Sequence, residues 1–172
     1  AYDLILYTSV GLHLVLLCVF LFSLQDASLQ IYEVVGRVLS MGLVTTFAIN
    51  LAHELGHRQS WGEQFLSKLM LLTTLMMHFF IEHNRGHHKN VATFEDPSTA
   101  RKGETVYAFW FRAILNEYLS AWQLEKKRLE VTKQSNFSLH NEMIQFQIIQ
   151  ILFVGLIYYL FGGFILMAFL FN

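Results

Sequence analysis

The chain has 172 residues, of which 54% are hydrophobic and only 15% charged, with a formal net charge of −1. An ordinary soluble domain carries about 25% charged residues, and here the apolar residues are gathered into long runs. This pattern excludes an ordinary soluble domain and predicts an all-α integral membrane protein in contact with membrane lipid. The charge balance lacks the basic excess of a nucleic-acid-binding domain, so we expect no nucleic-acid partner.

Apolar runs at both ends of the chain are long enough to cross a bilayer as helices. The first covers about residues 4–24 and the second about 34–52, and a spanning helix needs roughly 20 residues. A third span is predicted at about 144–161, followed by a turn at a glycine pair and the start of a further span at about 164–172. We expect His13, inside the first run, to form a hydrogen bond with a neighbouring helix.

Two histidine clusters stand out, His53-Glu54-Leu55-Gly56-His57 and His83-Asn84-Arg85-Gly86-His87-His88. On an α-helix, residues four apart share a face, which pairs His53 with His57 and His83 with His87. His88 would then point about 100° away from His87. Neutral imidazole is a common ligand of zinc, copper and iron. Five imidazoles exceed the roughly three protein ligands of a catalytic zinc, so the spacing predicts a transition-metal site with two ions.

The apolar segment at about 64–81 decides whether both clusters lie on one side of the membrane. If it crossed, the clusters could not share a metal site, because ligand distances are only about 2 Å. We therefore predict a non-spanning interfacial or re-entrant segment, followed by a cytoplasmic region at about 82–142. Eleven of the twelve Lys and Arg residues lie between Arg58 and Lys133, and by the positive-inside rule this places both clusters on the cytoplasmic side.

Polar residues near the clusters are candidates to orient the imidazoles, because metal-bound histidines usually donate their second N–H to such groups. The candidates are Glu54, His78, Glu82, Glu95 and Asp96. We expect His140, before the third span, to be structural. The charged run Glu125-Lys126-Lys127-Arg128 is either a solvated helix face or a docking patch for an acidic partner.

Three kinds of chemistry fit the first cluster. His53-Glu54-Leu55-Gly56-His57 matches the zinc metalloprotease pattern, with Glu54 as general base, and would here indicate an intramembrane protease. The same residues contain the Glu-x-x-His motif of carboxylate-bridged di-iron bundles, which needs a second copy that the sequence lacks. A dinuclear iron site is the interpretation that uses all five clustered histidines. The residues alone leave these alternatives open.

Four segments together closely resemble the bacterial membrane alkane 1-monooxygenases, a family in the membrane di-iron hydroxylase and desaturase class. The segments are Asn50–His57, Glu82–His88, Val91-Ala92-Thr93 and Glu95-Asp96-Pro97. Ser98-Thr99-Ala100-Arg101 and Ser120–Glu125 are similar to the same family's intervening region. The three residues between His83 and His87 fit the hydroxylase branch better than the acyl desaturases, whose equivalent box usually has two.

The resemblance implies part of a six-helix transmembrane hydroxylase fold in the bacterial inner membrane, with a non-haem di-iron centre on the cytoplasmic side. It implies terminal hydroxylation of medium-to-long-chain n-alkanes to 1-alkanols with O2. Electrons would come from NADH through rubredoxin reductase and rubredoxin. A xylene or alkyl-aromatic monooxygenase and a fatty-acid desaturase are the alternative functions. Carried onto this chain, the iron ligands are His53, His57, His83, His87 and His88.

The chain departs from the family pattern in two ways. Phe94 stands where the family usually has proline. The family's later Asn-Tyr-x-x-His segment and third histidine box do not occur in these 172 residues. We therefore expect a fragment without the C-terminal histidine motifs, which would be inactive alone.

Overall fold

The computed structural model describes residues 2–172, and all regular structure in that range is helical. In chain order the elements are α1 (Tyr2–Ser23), α2 (Ile31–Gly56), α3 (Trp61–Thr73), α4 (Phe79–Glu82), a π-helical turn (His83–His87), α5 (His88–Asn90), α6 (Val106–Val131) and α7 (Glu142–Leu170). The chain forms two compact units, one of residues up to Leu75 with Gln150–Asn172 and one of Met76–Ile149. The predicted all-α class is confirmed.

In the first unit, α1 and α2 run antiparallel. At one end the Tyr2 hydroxyl donates to Glu54 Oε2 over 2.8 Å. At the other end Arg37 Nη1 donates to the Ser23 carbonyl over 2.6 Å. The start of one helix is thereby tied to the end of the other at both ends of the pair. Helix α3 packs against α2, where Ser67 Oγ donates to the Ala52 carbonyl over 2.6 Å.

Helix α7 is interrupted at Gly162, whose φ of 79° and ψ of 175° lie outside helical geometry. A positive φ of this kind is readily adopted by glycine. The rings of Phe153 and Phe169 lie 5.7 Å apart between centroids, although a straight helix would separate residues sixteen apart by about 24 Å. The chain after Gly162 therefore turns back along the segment before it. Both segments pack on α1 and α2 through Leu17, Phe20, Leu21, Met41, Ile157, Ile165 and Phe169.

Helices α1, α2 and α7 are long and apolar enough to cross a membrane. Many of their large apolar side chains are exposed, among them Leu39, Phe47 and Leu152, as expected for surfaces that lipid covers. The α2 helix continues past the predicted end at residue 52 to Gly56 and so carries His53 on its last turn. These three helices agree with the predicted membrane protein.

The apolar segment at 64–81 is not one helix. Helix α3 has 13 residues, about 20 Å at 1.5 Å per residue, which is shorter than a spanning helix. It ends at Thr73, and Leu75 follows with a positive φ of 56°. Whether this segment lies at the interface or re-enters the membrane stays a prediction.

In the second unit, the helical stretch from Phe79 to His87 packs on α6. Thr105 caps α6, because its Oγ1 accepts from the Ala108 amide over 3.3 Å. Every fourth residue of α6 forms its inner face, with Ala113, Ala121, Glu125 and Leu129 buried and Glu117 half-buried. The helix therefore turns two carboxylates toward the interior of this unit.

Arg112 ties the loop before α6 to the helix. It donates to the carbonyls of Pro97 and Thr99 over 2.9 and 3.0 Å and to both oxygens of Glu104 over 2.6 and 2.8 Å. The hydrogen bonds from Arg112 lower the pKa of Glu104 to about 2. Arg112 thus bonds the loop that contains Asp96 to α6.

Candidate metal centre

The first histidine pair belongs to the first unit. The Nε2 atoms of His53 and His57 lie 3.1 Å apart, and the two rings are nearly perpendicular, with centroids 4.6 Å apart. The pairing follows from the helix, because residues four apart on α2 share one face. Glu54 sits beside the pair, with Oε1 3.5 Å from His53 Nδ1, and Tyr2 holds its other oxygen.

The second histidine group lies on the π-helical turn of the second unit. In this turn the His88 amide donates to the His83 carbonyl five residues back. The wider turn places His88 under His83, and their Nε2 atoms lie 3.1 Å apart. The ring of His87 stacks on that of His83 with centroids 5.2 Å apart. The sequence predicted an α-helix here, whereas the turn is π-helical; it keeps the predicted proximity of His83 and His87 and adds the pairing of His88 with His83.

Asp96 orients His87. Its buried carboxylate lies 3.0 Å from His87 Nδ1 and accepts from Thr99 Oγ1 over 2.5 Å and from the Ser98 amide over 2.9 Å. Burial alone would raise the pKa of Asp96, but these hydrogen bonds hold it below its usual value. An ionised Asp96 accepts the Nδ1 proton of His87, which leaves Nε2 as a lone-pair donor for a metal.

Glu82 lies beneath the same turn, 1% exposed, and accepts from Ser120 Oγ over 3.3 Å. Burial, with the nearby charges of Glu117 and Asp96, raises the pKa of Glu82 to about 7. Gly86 makes this packing possible, because a Cβ at that position would lie 2.5 Å from Glu82 Oε1 and 2.9 Å from Leu124 Cδ1.

An ion-pair network around the buried Glu125 joins the π-helical turn to α6 and to the start of α7. Arg85 donates to Glu125 Oε2 over 3.0 Å and to Glu142 Oε2 over 2.6 Å. Glu125, fully buried, also accepts from Arg128 over 2.6 and 2.8 Å. Burial would raise the pKa of Glu125, but the bonds from Arg128 and the Glu142 amide, with the charges of both arginines, lower it overall.

The remaining sequence candidates lie in different surroundings. His78 is buried with its ring edge-on to Tyr118 at 5.3 Å, and burial lowers its pKa to about 4, so it is neutral at pH 7. The carboxylate of Glu95 is exposed, and the structure of residues 2–172 shows no hydrogen bond to it. The expected hydrogen bond of His13 to a neighbouring helix is confirmed, since its Nε2 lies 3.0 Å from Thr73 Oγ1 on α3.

Sequence reasoning missed Glu117, which accepts from Ser98 Oγ over 2.7 Å and has its pKa raised by burial. It also missed the burial of Glu125. Both carboxylates lie on the face of α6 that is formed by every fourth residue and includes the buried Ala121. That spacing was the available signal, because a stripe of small and apolar residues predicts the inner face of a helix.

Each histidine group on its own fits a metal ion. Two nitrogens about 2.1 Å from one ion, with an angle near 90° between them, are about 3 Å apart. The 3.1 Å separations in both groups match that value. All five donors are imidazoles, which suit iron, zinc and copper better than magnesium or calcium. Asp96 supplies the supporting hydrogen bond that such ligands usually have.

The family model for fatty acid desaturases matches residues 32–172, a range that contains both histidine groups. The chain belongs to the fatty acid desaturase family. It is also 38% identical over 94% of its length to alkane 1-monooxygenase of Pseudomonas putida and 36% identical over 94% to alkane 1-monooxygenase 1 of Alcanivorax borkumensis. The xylene/toluene monooxygenase hydroxylase component of Pseudomonas putida is 27% identical over 94% of the chain.

Membership of this family confirms the resemblance that the histidine motifs indicated. The chain spans 40% of the length of each of the two alkane monooxygenases and 44% of the xylene/toluene component. The similarity to the alkane enzymes extends well beyond the clusters, into α1 and α6. The desaturase family and the similarity to alkane 1-monooxygenases favour an oxidoreductase over the zinc protease alternative.

Proposed function

We propose that the complete protein hydroxylates the terminal carbon of medium-to-long-chain n-alkanes to give 1-alkanols, using O2 and two electrons. The observation that carries this proposal is the 38% identity to an alkane 1-monooxygenase over 94% of the chain. The lower identity of 27% to a xylene/toluene monooxygenase component makes an alkyl-aromatic substrate the second candidate. Both candidate reactions hydroxylate a methyl group at a membrane. Because the reaction is the same, the two candidates would differ in the shape of the substrate pocket.

The metal centre of this proposal is a non-haem di-iron site. Its ligands from this chain are His53, His57, His83, His87 and His88. Support comes from the 3.1 Å nitrogen separations within each histidine group and from the supporting carboxylate of Asp96. When bound, the iron pair would supply the activation of O2 and the removal of a hydrogen atom from the substrate methyl group.

The chain's own residues position and insulate this centre. Asp96 holds His87 with Nε2 available, and Arg85 with Glu125 fixes the turn that carries three of the ligands. The apolar helices exclude water from the substrate. An alkane has no polar group to bind, so selection among substrates rests on the shape of an apolar cavity.

The electron donor in this proposal is rubredoxin, reduced by NADH through rubredoxin reductase. The protein would lie in the bacterial inner membrane with its histidine groups facing the cytoplasm. The concentration of Lys and Arg between Arg58 and Lys133 supports that orientation. An electron donor that stays in the cytoplasm requires the metal centre on the same side.

The direct test is turnover by the full-length protein with rubredoxin, its reductase, NADH, n-octane and labelled ¹⁸O2. We expect 1-octanol that carries one labelled oxygen. His57→Ala should lose both bound iron and turnover, whereas His140→Gln, an exposed histidine outside the groups, should keep both. Unchanged turnover in His57→Ala would refute the ligand assignment. Oxidation of p-xylene without oxidation of octane would favour the second candidate.

A further inference from the structure

The first half of α6 has an apolar face that its own unit does not cover. On the side of the helix away from its buried residues, large apolar side chains recur at spacings of three and four residues. This outer face consists of the exposed Val106, Tyr107, Trp110, Phe111, Ile114, Leu115 and Leu119. A contiguous exposed apolar face of about four helical turns marks a surface that another molecule covers.

Exposed basic residues flank the outer face at both ends. Arg101 and Lys102 precede α6, and Lys126 and Lys127 follow Trp122. Within residues 2–172, the helices with the length and apolarity of spans are α1, α2 and α7, and α6 is too polar to be one of them. A helix with one apolar, aromatic face and charged residues elsewhere fits a position in the plane of a membrane surface, where Trp and Tyr are enriched.

The start of α7 marks the level of that surface. The segment from Glu142 to the break at Gly162 has about 20 residues, so it is about 30 Å long, which is the thickness of the hydrocarbon core of a bilayer. Because the chain turns back at Gly162, Glu142 lies at the opposite boundary of the core. The Glu142 amide donates to Glu125 Oε1 over 2.6 Å, so α6 meets the membrane surface at this point.

The outer face of α6 is also continuous with the lipid-facing side of α7. Trp122, one turn beyond Leu119, lines a groove together with Ile144 of α7. One turn further along α7, Ile148 is exposed, as expected for the side chain of a span that faces lipid. A bilayer that covers Ile148 and Ile144 therefore reaches Trp122 and the outer face without a break.

We propose that α6 lies in the plane of the membrane surface, with its outer face immersed in the leaflet at which α7 begins. The partner of this face is the lipid bilayer, and the charged residues before and after the face stay in water. The opposite side of α6 packs on the π-helical turn. A single helix then separates the bilayer from the turn that carries His83, His87 and His88.

The test is photocrosslinking of the full-length protein in nanodiscs of phosphatidylcholine and phosphatidylglycerol. The photoreactive residue p-benzoylphenylalanine replaces Phe111 or Leu115 on the outer face, and Leu152 on α7 is the positive control. Glu130 is the matched control on the same helix, because it is exposed but lies about two turns beyond Trp122. Since all four side chains are exposed, the replacements should leave the fold intact.

Mass spectrometry after irradiation identifies what each position contacts. We expect lipid adducts at Phe111 and Leu115, as at Leu152, and their loss at Glu130. Crosslinks from Phe111 and Leu115 to another part of the chain, or to a second copy, would show that protein covers the outer face and would overturn the proposal. Absence of any adduct at these two positions, or equal lipid adducts at Glu130, would overturn it as well. Crosslinking needs no turnover, so its outcome is separate from that of the octane test.

Discussion

At the scale of single residues, Asp96 and Glu95 show how much of the site the sequence alone could predict. Both adjoin the second histidine cluster, and both were candidates to orient an imidazole. The structure buries Asp96 against His87 and leaves the Glu95 carboxylate exposed. The difference depends on the loop conformation that Arg112 fixes, and such a contact between distant residues leaves no periodic signal in the sequence.

We predict that Asp96→Asn weakens iron binding or activity by about 10- to 100-fold, the usual effect of losing a group that supports a metal ligand. The amide cannot accept the His87 Nδ1 proton as strongly, so the ring is less well oriented. The measurement is iron stoichiometry and affinity of the full-length protein. Glu95→Gln is the matched control next to it, and an equal loss in both variants would contradict the role assigned to Asp96.

The five clustered histidines could be found from sequence because their spacing is unusual. The sequence also paired His83 with His87, whose rings are stacked, but it could not predict the pairing of His88 with His83, since that depends on a π-helical turn. A period of 3.6 residues places His88 away from His87, whereas the i→i+5 bond aligns His88 with His83. Turns of this type are rare and often occur at functional sites. Gly86 permits the turn to pack closely, but a glycine alone does not predict it.

At the scale of elements, the charged run on α6 is only in part the solvated helix face that the sequence suggested as one of two roles. Glu125 is fully buried, and Arg128 is turned onto it. Lys126 instead faces Glu130 over 4.0 Å, and both of these side chains are about 60% exposed. One half of the run therefore joins α6 to the π-helical turn, and the other half is solvated. The sequence of a charged run does not show which of its side chains lie on the buried face of the helix.

We predict that Glu125→Gln lowers the free energy of unfolding by about 2 kcal/mol, because it leaves Arg85 and Arg128 without their shared carboxylate. This value is below the roughly 3–5 kcal/mol that breaking a fully buried ion pair costs, because both arginines are one-third exposed. The same substitution at Glu130 should cost less than about 0.5 kcal/mol. Denaturation of the purified protein measures both, and equal losses would refute the structural role of the network.

The pH dependence of this difference follows from the lowered pKa of Glu125. The stabilisation from its ionised form is fully present above its ordinary pKa of 4.5 and is lost as the pH falls through the lower folded value. The gap between wild type and Glu125→Gln should therefore be largest near neutral pH and shrink below about pH 4.5. A gap that grows on acidification would contradict this assignment.

At the scale of the whole molecule, composition was sufficient for the all-α membrane class, since three helices have the length and apolarity of spans. The motifs were sufficient for the family, because both clusters lie within the matched range 32–172. The segment at 64–81 was harder to place. Its apolarity resembles that of a span, but the break after Thr73 depends on local backbone geometry at Leu75, which composition does not encode.

The central claim is that the two histidine groups bind one pair of irons. Mössbauer spectroscopy of the full-length protein loaded with ⁵⁷Fe tests it most directly. We expect two antiferromagnetically coupled irons in the wild type, and loss of that coupling in both His57→Ala and His83→Ala, one variant for each group. The claim would be contradicted if the wild type held two uncoupled irons, or if either variant kept the coupled pair.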